Sequence, residues 1–298
     1  RLILSRLHTA ISGSFPYWDY TTNDAAYAES FGYDANGNIL RSYRNGASTV
    51  QSPLFMDALL YNYNRDGAGN LINNRLNYIT DNIPGNYHYA DIDYQNPNNY
   101  KYDKIGNLIS DESEYIAGIE WTLYGKIASV WNGYTGIDYG YDAAGYRITK
   151  SYNEYHTKED YYVRDALGNV LGIYSYDNTN FTWAEQHLYG SSRLGMITPS
   201  FTIASGTPLA NANYNATGDP VTNGTEGKRI YELTNHLSNV MVTISDRKIG
   251  IDENSDTVID YYTAEVLTAQ DYYAFGMLMP GRDYRKPGAS YKYGFNGK

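Results

Sequence analysis

An acidic segment near the end of the chain has the residue types and spacing that could bind a metal ion. The oxygen-bearing side chains at its first, third, fifth and ninth positions are Asp252, Asn254, Asp256 and Asp260. Oxygen ligands at these positions, with a backbone carbonyl at the seventh, are those of the first part of a calcium loop. However, Thr257 stands where such loops have glycine, and Thr263 stands where they have a bidentate glutamate. Two interpretations follow, a calcium site or an acidic turn between strands, and no other cofactor is predicted.

The other residues capable of chemistry form no recognisable motif. None of the histidines has the His-x-x-x-His spacing of a metal site; they are His8, His88, His156, His187 and His236. Residues 190–195 lack the Gly-x-Ser-x-Gly order of a hydrolase nucleophile, and residues 67–69 do not continue as a nucleotide-binding loop. Hydrogen-bonded or surface imidazoles and ordinary turns account for these residues.

Paired carboxylates could hydrolyse glycosides, but such a pair is defined by its separation in space and not by sequence spacing. Most aspartates of this chain stand in a repeated turn motif, where they already have a structural reason to occur. The sequence therefore predicts a protein that is not an enzyme.

The composition narrows the function classes further. The 298 residues include 33 acidic and 23 basic side chains, a formal charge of −10, with no cysteine and 35 tyrosines. A nucleic-acid backbone binder needs clustered Lys and Arg, which are missing, and no apolar stretch is long enough to span a membrane. Because the sequence starts at Arg1 without a signal peptide, we expect a piece of a larger polypeptide.

One short motif recurs along the chain, and its clearest form is an aromatic residue followed by Asp-x-x-Gly-Asn and an apolar residue. Asp and Asn hydrogen-bond their own backbone, and Gly accepts a positive φ, so each copy predicts a type I turn followed by a left-handed Gly. Further, weaker copies lie at residues 63–71 and 121–127. The predicted repeat-turn residues are Tyr33, Asp34, Gly37, Asn38, Tyr102, Asp103, Gly106, Asn107, Tyr141, Asp142, Gly145, Asp165, Gly168 and Asn169.

The segments between these turns alternate with a period of two, which is typical of strands. Tyrosines recur in Tyr-x-Tyr pairs, as at residues 61–63, 100–102 and 139–141, so that both rings share one face of a strand. Only Thr263–Leu267 suggests a short helix. The prediction is an all-β fold, with glycines that permit curvature and a tyrosine-rich face that is wet or polar, because dozens of buried hydroxyls need partners.

These residues resemble the YD-repeat (Rhs) family over nearly the whole chain. Besides the repeats, residues 231–246, with Asn235-His236-Leu237-Ser238-Asn239-Val240, are similar to the lead-in to the Rhs-associated core. Two later segments, 271–276 ending in Phe-Gly and 291–298 ending in Asn-Gly-Lys, follow in the same order as in that family. The family's Arg-Tyr-Tyr-Asp-Pro stretch and the Asp-Pro-x-Gly region associated with self-cleavage are not in this sequence.

The resemblance implies a long spiralling sheet of β-hairpins that forms part of a hollow shell, or β-cocoon. Residues 1–199 would be the YD-repeat wall, residues 200–228 an insertion or mobile loop, and residues 229–298 the lead-in to the core. Such shells enclose a toxin that forms the C-terminal part of the same parent chain.

We therefore expect a non-catalytic wall segment of a secreted or cell-surface bacterial protein that encapsulates a C-terminal effector for contact-dependent competition. Its partner would be that effector, with no nucleic acid and no membrane span; the secretion machinery is not specified by the sequence. The alternative is a surface adhesin or carbohydrate-binding array, whose exposed rings would stack on glycans. The direction in which Tyr61, Tyr102, Tyr141 and Tyr176 face distinguishes the two.

Overall fold

The structure is a computed structural model that describes residues 26–46, 55–83, 92, 95–152, 158–199, 201–203 and 229–298, together with strand residues 4–5, 10–11 and 17–18. Most of the predicted insertion, residues 204–228, lies outside this part of the chain, as do Arg1, His8, His88 and His156.

The described residues form an all-β protein, as the sequence predicts, with one turn of 3-10 helix at Phe295–Gly297 and no α-helix. The first nine strands are β1 (Leu4–Ser5), β2 (Ala10–Ile11), β3 (Tyr17–Trp18), β4 (Glu29–Tyr33), β5 (Ile39–Asn45), β6 (Phe55–Arg65), β7 (Leu71–Asp81), β8 (Tyr100–Tyr102) and β9 (Leu108–Asp111). The others are β10 (Gly118–Trp121), β11 (Ile127–Trp131), β12 (Gly136–Tyr141), β13 (Arg147–Tyr152), β14 (Lys158–Arg164), β15 (Val170–Tyr176), β16 (Phe181–Tyr189), β17 (Arg193–Ile197), β18 (Phe201–Ile203), β19 (Arg229–Thr234), β20 (Val240–Ile251), β21 (Tyr261–Tyr272) and β22 (Leu278–Arg285).

Strands pair antiparallel with their neighbours in the sequence, which is the arrangement that short hairpin turns produce. A five-stranded sheet has the order β1-β4-β5-β6-β7, and a 13-stranded sheet runs in sequence order from β10 to β22. Only β18 leaves this order, because it pairs with β16 while β17 pairs with β19. Two two-stranded sheets, β2-β3 and β8-β9, complete the described pairing.

The chain forms two compact units. Unit 1 contains Arg1–Ile119 and Asp271–Asp283, and unit 2 contains Glu120–Gln270 and Tyr284–Lys298. The apolar core of unit 1 is formed by Ala26, Tyr27, Met56, Tyr273 and Met279. The corresponding core of unit 2 consists of Met196, Ile230, Val240 and Tyr291. Sequence boundaries at residues 199 and 229 remain a prediction.

Thr263–Leu267, the stretch with helical spacing, is part of strand β21. The suggestion of a helix is therefore wrong. Its residues pair with β20, where Ala264 lies opposite Lys248 and Val266 opposite Ile244. Cross-strand pairing outweighs a weak local helix preference over five residues. The described part of the chain holds no helix long and apolar enough to cross a membrane.

Candidate functional site

The repeated motif forms the same turn at several of the places where the chain reverses between strands. In the copy at residues 103–107, Asp103 N–H donates to the carbonyl of Asn107 (2.9 Å), and Gly106 N–H donates to the carbonyl of Asp103 (3.3 Å). The same two backbone bonds close the turns that begin at Asp34, Asp66, Thr122, Asp142, Asp165, Asn235 and Tyr273. The turns at residues 122–126, 235–239 and 273–277 thus keep the backbone of the motif without its aspartate.

A side-chain network holds each aspartate turn from inside. The carboxylate of Asp103 accepts three backbone N–H groups on Oδ1, from Ile105 (3.0 Å), Gly106 (2.7 Å) and Asn107 (2.8 Å). Its Oδ2 accepts the side-chain amide of Asn107 at 2.9 Å. These hydrogen bonds explain why Asn stands four residues after Asp in the motif.

The fourth residue of every such turn has a positive φ. It is glycine in most copies, for example Gly37 at 92°, Gly106 at 102°, Gly145 at 80° and Gly168 at 87°. Ser238 takes this place in the turn at residues 235–239 with a φ of 63°. Only glycine adopts this backbone conformation without steric cost from a Cβ atom.

The same hydrogen bonds affect the ionisation of the turn aspartates. At Asp66, the backbone N–H and then the side-chain amide of Asn70 hold the pKa of the carboxyl below its usual value. At Asp165, the side-chain amide of Asn169 is the largest influence that lowers the pKa. Hydrogen bonds to a carboxylate favour its charged form, so these turns keep their negative charge.

A β-bulge follows the turn in several hairpins, at a constant position. Tyr33 pairs with Ile39 but Gly32 pairs with Arg41, which leaves Leu40 as an extra residue. The bulged residues at equivalent places are Leu40, Ile109, Ile148, Leu171 and Met241. A bulge bends its strand and increases the local twist, so it is a source of curvature besides glycine. In four of these five hairpins, but not at Ile148, the bulged residue is the second of two consecutive apolar residues after the turn.

Tyrosine hydroxyls join successive hairpins, which sequence reasoning did not foresee. Tyr63 donates to the carbonyl of Ile39 at 3.0 Å, and Tyr141 donates to the carbonyl of Ile127 at 2.8 Å. In a third example, Tyr189 donates to the carbonyl of Val170 at 3.0 Å. Each acceptor is the first strand residue after a repeated turn. We call these three contacts the tyrosine clamps. They explain why tyrosine is used where phenylalanine would pack equally well.

Unit 2 contains a stack of aromatic rings and, separately, a cation that lies between two tyrosine rings. Tyr174 stacks on Phe181 at 5.7 Å between centroids, with an interplanar angle of 6°, and lies 6.3 Å from Trp183. The guanidinium of Arg147 lies 5.4 Å from the ring of Tyr139 and 4.8 Å from that of Tyr162. Ring stacking and cation–π contacts of this kind stiffen neighbouring strands.

The four tyrosines that distinguish the functional hypotheses are neither fully buried nor fully exposed. Tyr61, Tyr102 and Tyr141 are partly buried, and Tyr176 is 37% exposed. The surface also carries rings that are almost completely exposed in turns, at Tyr124 (91%) and Tyr134 (95%).

Buried charge clusters occur in both units. In unit 1, Arg44 binds Glu29 (2.9 Å) and Asp57 (2.8 Å), while its guanidinium lies 5.0 Å from the ring of Tyr273. Glu29 also accepts the backbone N–H of Ala274 at 2.9 Å. No sequence motif pointed to these residues, because the cluster depends on positions more than 200 residues apart.

In unit 2, the buried side chain of His187 lies in a polar cluster. Among the histidines in the described residues, it alone does so. Its Nε2 lies 3.2 Å from Oε2 of Glu185 and 3.0 Å from the hydroxyl of Tyr293, which donates to the same Oε2 at 2.9 Å. Lys292 binds the other oxygen of Glu185 at 2.6 Å. Burial raises the pKa of the Tyr293 hydroxyl, and the charge of Glu185 adds to this effect. His236 lies exposed in the turn at residues 235–239.

The acidic segment at residues 252–260 is a loop between β20 and β21. Asp252 accepts the backbone N–H groups of Asp256 (3.2 Å) and Thr257 (2.8 Å), and Asp260 accepts that of Glu253 (2.9 Å). Asn254 accepts a second bond from Asp256 N–H at 3.0 Å. Within the described residues, no three His, Asp or Glu side chains are grouped as metal ligands. Calcium binding at Asp252, Asn254, Asp256 and Asp260 stays a prediction.

Comparison with known proteins gives matches among solved structures only; no family model and no curated protein matches the chain. The chain is similar to the crystal structure of TcdB2-TccC3 without its hypervariable C-terminal region, with 12% identity and a TM-score of 0.44. That match covers 95% of this chain and 14% of the other. A TcdB2-TccC3-Cdc42 structure matches with 13% identity and a TM-score of 0.37, covering 91% of this chain and 14% of the other. The chain thus spans about a seventh of the length of these toxin-complex chains.

Proposed function

We propose that this chain is a non-catalytic wall segment of a YD-repeat shell that encloses a C-terminal effector of the same parent chain and helps to deliver it. The parent would be a secreted or cell-surface bacterial protein used in contact-dependent competition. The observation that carries the proposal is the repeated turn, which is followed by a bulge in five hairpins and joined by a tyrosine clamp at three. A wall needs such a unit because each hairpin must hold the next one at a constant offset.

The chemistry of this unit suits a container. Its aspartates accept backbone N–H groups and its clamp hydroxyls donate to backbone carbonyls, so the side chains that recur are used for architecture. The formal charge of −10 would repel anionic surfaces and attract a basic cargo.

The test is protease protection of the effector in the full-length parent protein. We expect a C-terminal epitope to resist proteinase K in the intact parent, while the separately expressed effector is digested. The variant Asp103→Ala with Asp165→Ala removes two turn networks and should shorten the protection. The control Lys104→Ala changes an exposed side chain of the same turn and should leave protection intact. Digestion of the epitope in the intact parent at the rate of the free effector would refute encapsulation.

One observation favours the alternative of carbohydrate binding. In unit 2, a groove of about 280 Å³ is lined by Trp131, Glu120, Ser129, Gly136 and Asp138. Ser129 and Asp138 are cross-strand partners, as are Trp131 and Gly136. The indole of Trp131 therefore has no side chain opposite it, and the carboxylates of Glu120 and Asp138 line the same groove. An exposed ring with adjacent hydrogen-bonding groups is suited to a sugar face. Binding on a glycan array that is lost in Trp131→Ala but kept in Tyr134→Ala would support this second function.

A further inference from the structure

Unit 2 contains a second, larger cavity, of about 480 Å³, that none of the functions above uses. Its floor is apolar and is formed by Met196, Ile230 and Leu267. One wall is the segment 286–290, in which Ala289 N–H donates to the carbonyl of Lys286 at 2.9 Å and Gly288 has a φ of 80°. The volume lies within the range of about 300–1,000 Å³ that is usual for small-ligand sites.

Charged side chains surround this floor. Arg247, Lys286 and Lys292 line the cavity together with Glu185 and Glu265, which leaves one positive charge in excess. The two carboxylates are the better buried, with side chains that are 12% and 7% exposed, whereas the three cations are between 39% and 52% exposed. A ligand that enters from solvent therefore meets the cations first.

The carboxylates already have their hydrogen-bond partners. Glu265 accepts Ser245 at 2.6 Å on Oε2 and Lys286 on Oε1. Glu185 accepts Lys292 on Oε1, and both Tyr293 and His187 contact its Oε2. Little acceptor capacity is left to attract a second cation or a hydroxyl donor.

The cations, in contrast, have N–H groups to spare. An ammonium carries three donors and a guanidinium five. Among the described residues, Lys286 and Lys292 each make one ion pair across this cavity, and Arg247 approaches Glu265 only to 3.8 Å, beyond hydrogen-bonding distance. The mouth of the cavity thus offers donors and positive charge above an apolar floor.

We propose that this cavity binds a small organic monocarboxylate, with the carboxylate held by Arg247 and the two lysines and an apolar body lying on Met196, Ile230 and Leu267. A single negative charge matches the single excess positive charge of the lining. A phosphate dianion would exceed that charge and be repelled by Glu185 and Glu265, and an amine would meet three cations at the mouth.

The probe for the test is octanoate, and the reporter is the methyl group of Met196 in protein labelled with 13C at the methionine methyls. The chain has five methionines, and the variant Met196→Leu identifies the relevant resonance. We expect a saturable shift of the Met196 signal with octanoate and none with octylamine. Octyl phosphate should bind at least several-fold more weakly. The resonance of Met56, in unit 1, should not move.

One arginine variant and one lysine variant, at adjacent positions of β20, are compared for octanoate binding. Arg247→Gln should weaken octanoate binding about tenfold, because it removes a half-exposed donor that makes no hydrogen bond to Glu265. Lys248→Gln, its neighbour on β20, is not part of the cavity lining and should bind like the wild type.

A third arm distinguishes two sources of such a carboxylate. Tighter binding of an N-acetylated leucine tripeptide than of octanoate would assign the site to a peptide C-terminus, and the reverse order to a free acid. No saturable shift at Met196, an equal response to octylamine, or unchanged affinity in Arg247→Gln would each overturn the proposal. These results do not depend on whether the parent protein encloses an effector.

Discussion

The hydroxyl of Tyr63 donates a hydrogen bond of 3.0 Å to the backbone carbonyl of Ile39, and thereby ties one hairpin of unit 1 to the hairpin before it. Replacement of a clamp tyrosine by phenylalanine keeps the ring and leaves a carbonyl without its partner. We expect Tyr63→Phe, Tyr141→Phe and Tyr189→Phe each to lower the free energy of unfolding by about 0.5–1.5 kcal/mol. Urea denaturation measures this loss. The exposed Tyr134→Phe should have no measurable effect, and an equal loss there would contradict the clamps.

The fourth residue of the repeated turn has a positive φ, so adding a Cβ there and removing one should have opposite effects on stability. Gly106→Ala places a Cβ at a φ of 102° and should destabilise the protein by about 1–2 kcal/mol. Ser238→Gly removes the Cβ at the equivalent position, where φ is 63°, and should stabilise it by up to about 1 kcal/mol. Thermal unfolding of both variants gives the comparison. The same sign for both would contradict a shared turn conformation.

Glu185 gives unit 2 a defined dependence on acid. Burial alone would raise the pKa of Glu185, but hydrogen bonds from His187 and Lys292 outweigh it and lower the pKa from 4.5 to about 2. A carboxyl with a lowered pKa contributes stability above its unfolded value, and this contribution is lost as the pH falls through the folded value.

We therefore expect a loss of roughly 3 kcal/mol between about pH 4.5 and pH 2 that is specific to Glu185. Denaturant unfolding of wild type and Glu185→Gln across this range should show the difference between them shrinking as the pH falls. The stabilising contribution of the turn aspartates also falls as the pH falls. Because Glu185→Gln keeps these aspartates, the difference between the two proteins isolates the contribution of Glu185. A constant difference down to pH 2 would show that Glu185 is not held in its charged form.

Arg44 neutralises two buried carboxylates in unit 1, so its removal should be costly. Arg44→Met leaves Glu29 and Asp57 buried without their cation, and we expect a loss of about 3–5 kcal/mol. Equilibrium unfolding in urea measures it. Arg41→Met, on the exposed side of the same strand, should change stability by less than about 0.5 kcal/mol. The triple variant with Glu29→Gln and Asp57→Asn should recover part of the loss.

Calcium binding by the acidic loop can be tested directly. If Asp252, Asn254, Asp256 and Asp260 hold an ion, calcium in the millimolar range should raise the melting temperature, because a ligand that binds only the folded state stabilises it. The gain should vanish in Asp252→Asn with Asp256→Asn. Magnesium at the same concentration is the control for ionic strength. An unchanged melting temperature would leave the loop as an acidic turn.

The turns could be predicted from the sequence because their determinants are local. Asp103, Gly106 and Asn107 contain nearly everything that closes their turn, and the period of two on either side predicts strands. For the same reason the all-β prediction is confirmed. Residues 122–126 and 235–239 show that the backbone of the turn also tolerates Thr or Asn in place of the aspartate.

The bulges and the buried clusters could not be predicted in this way. Leu40 and Ile148 break the alternation by one residue, and only the register of the partner strand shows that they are extra. From the sequence alone, Arg44 would be placed at the surface. Only the fold shows that Glu29, Asp57 and Tyr273 surround its guanidinium. Thr263–Leu267 has helical spacing, yet its strand partner β20 decides its conformation. In each case the deciding contact comes from another strand.

The nearly sequential strand order has a mechanical consequence. In a sheet where each strand pairs with the next, a force that pulls the chain from one end loads the hydrogen bonds of one strand pair at a time, as in a zipper. Resistance would then be low and evenly stepped, one hairpin per step, with each tyrosine clamp adding to the force at which its hairpin separates. The exception is β18, whose pairing with β16 would make residues 181–203 yield together.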